Sequence, residues 1–277
     1  MLTIASFNKF TSNLEDQEHL MPVLFIGHGS PMNGIEDNEF SQRWTQMAKA
    51  IPTPAAVLVV SAHWFSNGTR ITAMDFPETI HDFGGFPQAL FDVQYPAPGN
   101  PALAKKTVSL LHSAHVELDH DWGLDHGTWT VVRHMYPEAK IPVLQLSIDY
   151  TQPPNYHYDL AKELYGLREK GVLIIGSGNM VHNLRMVSWD KMNENYGYDW
   201  TLQMNATFKK LILNGDFKSL INYESLGAEA KLAIPTPEHY LPLMYSLGLK
   251  GSNDSISFFN DKAVAGSLTM TSVLIAN

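Results

Sequence analysis

The sequence predicts one α/β domain, a largely parallel central sheet flanked by helices, with its functional site at the C-terminal ends of the strands. Three observations carry this. Strand-like apolar runs alternate with helix-like segments along the chain, the pattern of a sheet built from crossover connections. The runs at 22–27, 55–60 and 172–176 are apolar throughout, and 143–148 is apolar except for Gln145 and Ser147, as expected of strands covered on both faces. A chain of 277 residues with 44% hydrophobic side chains can fill one large core.

Taken in order, residues 1–20 are polar, with neither a basic start nor a long apolar stretch, and read as an extension ahead of a catalytic domain at 21–277 rather than as a secretion signal. Pro22 to Gly27 is the first strand, and 37–50 the first helix. Ala55 to Val60 is the next strand and leads into Ser61-Ala62-His63. A short strand is expected within 70–75. The stretch from Asp75 to Gly99 is long and rich in Pro, Gly and aromatics, which points to an ordered, functional loop. Helices are expected near 100–114, 128–136 and 153–170. The strands Val143–Ile148 and Val172–Gly176 come next, and further helices lie within 198–222. Pro237 suits the first turn of a helix carrying Glu238, His239 and Tyr240. Ser255–Asn260 and Ser267–Ala276 read as closing strands, the last pairing antiparallel at a sheet edge.

Composition removes several function classes. The formal charge is −9, which disfavours nucleic acid and anionic membranes as partners. No apolar run reaches the ~20 residues of a membrane span, so a cytoplasmic protein is expected. Cysteine is absent; disulfides and thiolate ligands are excluded, and any metal must be held by nitrogen and oxygen. No long apolar interface helix is evident, so a monomer is expected.

The histidines carry the functional signal. His28 follows Val-Leu-Phe-Ile-Gly, His63 follows Val-Leu-Val-Val-Ser-Ala, and His182 follows Val-Leu-Ile-Ile-Gly-Ser-Gly-Asn-Met-Val. Each lies past the end of a predicted core strand, where open α/β sheets bind ligands. One such histidine is an ordinary loop residue; three at equivalent strand ends converge on one crevice and point to a metal. Imidazole suits Zn, Fe, Cu and Ni, and a catalytic site leaves one position open. His239, alone on its predicted helix, is no stronger than any single histidine. His126 sits before a predicted helix, beside the potential cap Asp125. His81 lies in the long loop, as a lid or substrate contact.

At these motifs the chain resembles the LigB-type (class III) extradiol ring-cleavage dioxygenases, and within them the 4,5-DOPA extradiol dioxygenase branch. The matching stretches are Gly27-His28-Gly29-Ser30-Pro31-Met32, Ser61-Ala62-His63-Trp64, His81-Asp82-Phe83-Gly84-Gly85-Phe86-Pro87 and Gly123-Leu124-Asp125-His126-Gly127-Thr128-Trp129. They continue through Gln145 to Asp149, Gly176 to Arg185 and Pro235 to Pro242. Each motif is short; their ordered occurrence from residue 21 onward is specific. The resemblance implies one divalent metal, Fe(II) for ring cleavage and Zn(II) in the isolated protein, acting on a catechol and O2 to give a ring-opened semialdehyde. It implies His28, His63 and His239 as metal ligands. His182 is then the acid/base, drawn into the coordination shell in zinc-loaded forms, and His126 the residue that hydrogen-bonds substrate or oxygen. Ser30, His81 and Tyr240 are the expected substrate contacts. The broader group uses two histidines and a carboxylate; here the third position is His239, with Glu238 expected to point about 100° away on the helix. Three neutral ligands and open water also suit a zinc hydrolase of an amide or ester on the same scaffold, and a metal-storage protein is a further reading.

Overall fold

The computed structural model describes residues 19–192 and 194–277. The first half of the chain forms β1 (Val23–Gly27), α1 (Glu39–Ala50), β2 (Ala56–Ser66), β3 (Thr69–Thr72), α2 (Gln88–Phe91), α3 (Pro101–Leu110), β4 (Val116–Asp119) and α4 (His126–Met135). Then come β5 (Val143–Asp149), α5 (Pro154–Glu163), α6 (Tyr165–Glu169), β6 (Val172–Gly178) and α7 (Asp199–Leu213). The chain ends with α8 (Phe217–Ile221), α9 (Ala228–Ala233), α10 (Leu241–Gly248), β7 (Ser255–Phe259), β8 (Ala263–Val264), β9 (Leu268–Thr269) and β10 (Ser272–Ala276). The predicted extension falls almost wholly on 1–18, outside the described residues.

The main sheet has the order β4-β3-β5-β2-β6-β1-β10-β7. Its centre, β5-β2-β6-β1, is parallel, and antiparallel pairs flank it on both sides. Side chains alternate across the strands. Val23 and Phe25 of β1, Leu58 and Val60 of β2, and Ile174 of β6 face a core closed by Leu160 of α5, Phe208 of α7 and Leu243 and Met244 of α10. Leu24, Ile26, Val57, Val59, Leu173 and Ile175 face the other way, onto Trp44 of α1 and Trp129 and Val132 of α4. Covering on both faces is why these strands read as unbroken apolar runs.

Several expectations need correction. The last strand, β10, is antiparallel but lies inside the sheet, between β1 and the edge strand β7. The segment 267–276 divides into β9 and β10. The edge strand β4 was not expected; Glu117 and Asp119 give its short run no clear pattern. The 153–170 helix breaks into α5 and α6 at Leu164. β2 does not stop at Val60 but runs to Ser66. Its register against β5 shifts between Val60 and Phe65, and an irregularity of this kind bends a strand and re-aims side chains. Pairing of β2 with β6 ends at Ser61, so His63 still lies at the C-terminal edge of the parallel core. Finally, Pro237 does not open a regular helix. Residues 238–240 form a turn, closed by N–H donation from Tyr240 and Leu241 to the Pro237 carbonyl, and α10 begins at Leu241. Among the described residues no helix is long and apolar enough to cross a membrane.

Candidate metal centre

The parallel register sets the stage. Gly27 pairs with Gly178, and Ser61 with Ser177, so β1, β2 and β6 end level with one another. His28 follows β1, and its backbone N–H bonds to the Gly178 carbonyl. His63 occupies the bent end of β2. His239 arrives on the turn before α10, where its carbonyl accepts from Asn179 N–H at 2.8 Å. That approach requires glycine at 178: a Cβ there would stand 2.1 Å from the His239 oxygen.

His28, His63 and His239 each offer a nitrogen within 4.8 Å of the others. The outer nitrogens show which atoms are free. Ser177 Oγ donates to the Gly127 carbonyl at 2.6 Å, so toward His28 Nδ1, 3.0 Å away, it can only accept. His28 therefore carries its proton on Nδ1. His63 Nδ1 lies 3.3 Å from Asp82 Oδ2, and a carboxylate likewise accepts, placing the His63 proton on Nδ1. Nε2 of His28 and Nε2 of His63 then present lone pairs to one another at 3.1 Å. Without a cation this arrangement is repulsive. Two nitrogens ~2.1 Å from a common ion and roughly 95° apart would stand about 3.1 Å from each other, so the donor set fits a divalent metal. His239 Nδ1 lies 3.2 Å from Glu238 Oε1, which leaves its Nε2 free. Glu238 thus does not point away from its neighbour, because 238–240 is a turn rather than a helix. The charge that three neutral ligands lack is supplied one bond further out, by Asp82 and Glu238, a placement that raises ligand basicity.

Burial keeps these imidazoles neutral, the form that binds metal. His28 and His239 are pushed well below the ordinary histidine value by burial and then by their histidine neighbours. Burial, followed by the neighbouring His126, takes His63 down to about 3. His182 falls to about 4 for the same reasons.

His182 stacks on His239, with ring centroids 3.5 Å apart and planes 7° from parallel. His182, Glu238 and His239 also offer ligand atoms within 4.8 Å of one another, though rings stacked this way do not aim both imidazole planes at one point. His182 is fixed by backbone donation to Ala233 O and a bridge to Leu268. His126 is the first residue of α4, capped by Asp125. Its ring lies 3.8 Å from that of His63. Beneath it Asp125 is fully buried and accepts from Ser61 Oγ and Gln145 Nε2, each at 2.7 Å. Burial, and then the nearby Asp82 charge, push its carboxyl up.

The three expected substrate contacts lie apart. Ser30 caps the short helix Pro31–Gly34 and lines a cleft of about 720 Å³ with Met32, Phe86, Leu268 and Met270. His81 Nε2 donates to the Val93 carbonyl of the loop at 3.0 Å. The ring packs among Phe83, Phe91 and Trp129, so it anchors the loop. Tyr240 is turned away altogether: it is buried among Phe208 and Tyr223 and donates to Leu220 O. Sequence reasoning gave no role to Asp82 or Ser177, and expected Glu238 to point away from His239 rather than to meet its Nδ1. Their signal was chemical: a ligating histidine needs an acceptor for its second nitrogen, and each of the three lies in, or next to, a motif bearing a histidine.

Residues 18–272 match the family model for the catalytic LigB subunit of aromatic ring-opening dioxygenase. The chain is 48% identical over 260 residues to a 4,5-DOPA dioxygenase extradiol of Escherichia coli, covering 92% of this chain and 94% of that protein. It is 35% identical to the protein of the same name from Beta vulgaris, covering 88% and 92%. A crystal structure of an uncharacterized Escherichia coli protein superposes with a TM-score of 0.79 at 41% identity, covering 92% of this chain and all of that one. The chain therefore belongs to the LigB family and is an aromatic ring-opening dioxygenase of the extradiol kind.

Proposed function

We propose that this protein opens the ring of a catechol such as L-DOPA with O2, beside the two hydroxyls, at one divalent metal held by His28, His63 and His239. The observation that carries the reading is the pair of Nε2 lone pairs 3.1 Å apart, each oriented from behind by Ser177 or Asp82. When bound, Fe(II) supplies Lewis acidity toward the catechol oxygens and the redox chemistry O2 requires.

The remaining steps belong to the chain. His182, held neutral by burial, accepts a hydroxyl proton as the catechol binds, and returns it as the ring opens. His126, fixed by Asp82, hydrogen-bonds the substrate. The ring-distal tail lies along the cleft of Ser30, Met32 and Phe86, which starts two residues from His28. Phe83, edge-on to His126, walls the site against water.

The test is oxygen uptake and appearance of a yellow, visible-absorbing product when Fe(II)-loaded protein meets L-DOPA in air. A zinc hydrolase on this scaffold would give neither, and loss of both signals across a catechol panel would refute the proposal.

A further inference from the structure

We infer that Asp82 is a positioning residue serving two histidines at once: its one carboxylate sets the ring orientation and tautomer of both His63 and His126. The inference rests on the proposed metal centre and extends it to the loop at 75–99.

Asp82 Oδ2 lies 3.3 Å from His63 Nδ1 and 2.9 Å from His126 Nδ1. Its other oxygen accepts the His126 backbone N–H at 2.9 Å. An ionised carboxylate only accepts, so all three facing groups must be donors. Both imidazoles are thereby Nδ1–H tautomers, with Nε2 free. For His63 that atom faces His28. For His126 it is the atom left to meet a ligand.

Their rings, 3.8 Å apart, could otherwise counter-rotate or exchange tautomers independently; a shared acceptor removes that freedom. The aim of Asp82 is in turn fixed by its neighbours. Ile80 N–H donates to the Leu124 carbonyl, Leu124 N–H donates to the Glu78 carbonyl, and the Ile80 carbonyl accepts from Trp129 Nε1. Phe83 packs on Phe86, Phe91 and Trp129 as well as on His126. The aromatic loop and a metal ligand are therefore joined through one side chain.

The test uses the full chain with Zn2+ as the metal probe. Asp82→Asn removes the carboxylate charge and replaces one acceptor oxygen by a donor, so at least one of the three groups facing it, the two imidazole Nδ1–H groups or the His126 backbone N–H, loses its acceptor. Zn2+ affinity by chelator competition should fall roughly 10- to 100-fold. In Fe(II)-saturated protein, kcat on L-DOPA should still fall at least about tenfold, with a smaller change in KM, because His126 is also misdirected. His126→Phe should lose kcat while keeping Zn2+ affinity within about threefold. A purely structural Asp82 would lower stability and leave kcat at saturating metal unchanged. Should the Asn variant not fold, nitrogen-15 NMR of the wild-type histidines decides: His63 and His126 must both be Nδ1–H in the Zn2+ form. An Nε2–H tautomer at His126, or wild-type Zn2+ affinity and kcat in the Asn variant, overturns the inference. The Zn2+ and NMR readouts do not need turnover, so a wild-type protein inactive on every catechol would refute the proposed function and leave this result standing by itself.

Discussion

Ser177→Ala isolates the support behind His28, the first of the three proposed metal ligands. The hydroxyl accepts from His28 Nδ1 at 3.0 Å and donates to Gly127 O at 2.6 Å, in a region where both Ser177 and His28 are buried. Alanine leaves the buried His28 Nδ1–H without its acceptor and the Gly127 carbonyl, inside α4, with only its intrahelical bond, and such an orphan costs ~1–3 kcal/mol. The expected loss of folding stability is therefore roughly 1–3 kcal/mol, a sizeable share of the ~5–15 kcal/mol of an ordinary domain. The His28 ring also loses the group that fixes its tautomer, so metal affinity should drop roughly 10- to 100-fold. The two effects separate by assay: urea unfolding of metal-free protein reads the first, chelator competition reads the second. Because metal binds only the folded form, added metal should recover part of the lost stability. A variant with wild-type unfolding and metal affinity within twofold would refute the argument that Ser177 orients His28.

Other consequences follow from the same structure. Gly178→Ala would drive a Cβ into the His239 carbonyl; metal content should fall with near-normal secondary structure by circular dichroism. Arg168 is fully buried, paired bidentately with Asp254 and bonded to Met21 O and Leu249 O, so Arg168→Met should cost about 3–5 kcal/mol in urea unfolding without altering turnover of the folded fraction. His157, buried against Tyr245, is taken by burial from 6.5 to about 4. The unfolded chain binds this proton more readily than the folded one, so the stability contribution is complete above pH 6.5. It is lost as pH falls from 6.5 toward 4, on the order of 3 kcal/mol in all. His157→Gln should flatten that part of the pH–stability curve, measured by denaturant midpoints at each pH.

What could be read from the sequence was what depends on local pattern. Runs rich in Val, Leu and Ile, interrupted only in β5 by Gln145 and Ser147, located the four parallel strands, because strands covered on both faces have little polar side to show. Histidines beyond those runs located the crevice, because parallel strands end at one edge. The misses have equally physical causes. His63 lies within β2 because the register shift after Val60 extends the strand, and no residue type announces it. His239 lies on a turn because residues 238–240 fold on the Pro237 carbonyl, although Pro-Glu-His-Tyr reads as a helix start. Tyr240 turns into the core, a choice set by room beside Phe208 and Tyr223. Asp82 contacts two histidines 19 and 44 positions away, a proximity only the folded loop creates. The family resemblance reached His239 where the pattern of residues alone did not.

The account stands most directly on which histidines keep the metal. Metal analysis of Fe(II)- or Zn(II)-loaded His28→Ala, His63→Ala, His239→Ala and His182→Ala tests it in one series. The first three should lose stoichiometric metal. His182→Ala should retain it while ring cleavage collapses. Full metal in any of the first three, or metal lost with His182, would contradict the assignment of three ligands and one separate proton-transfer residue.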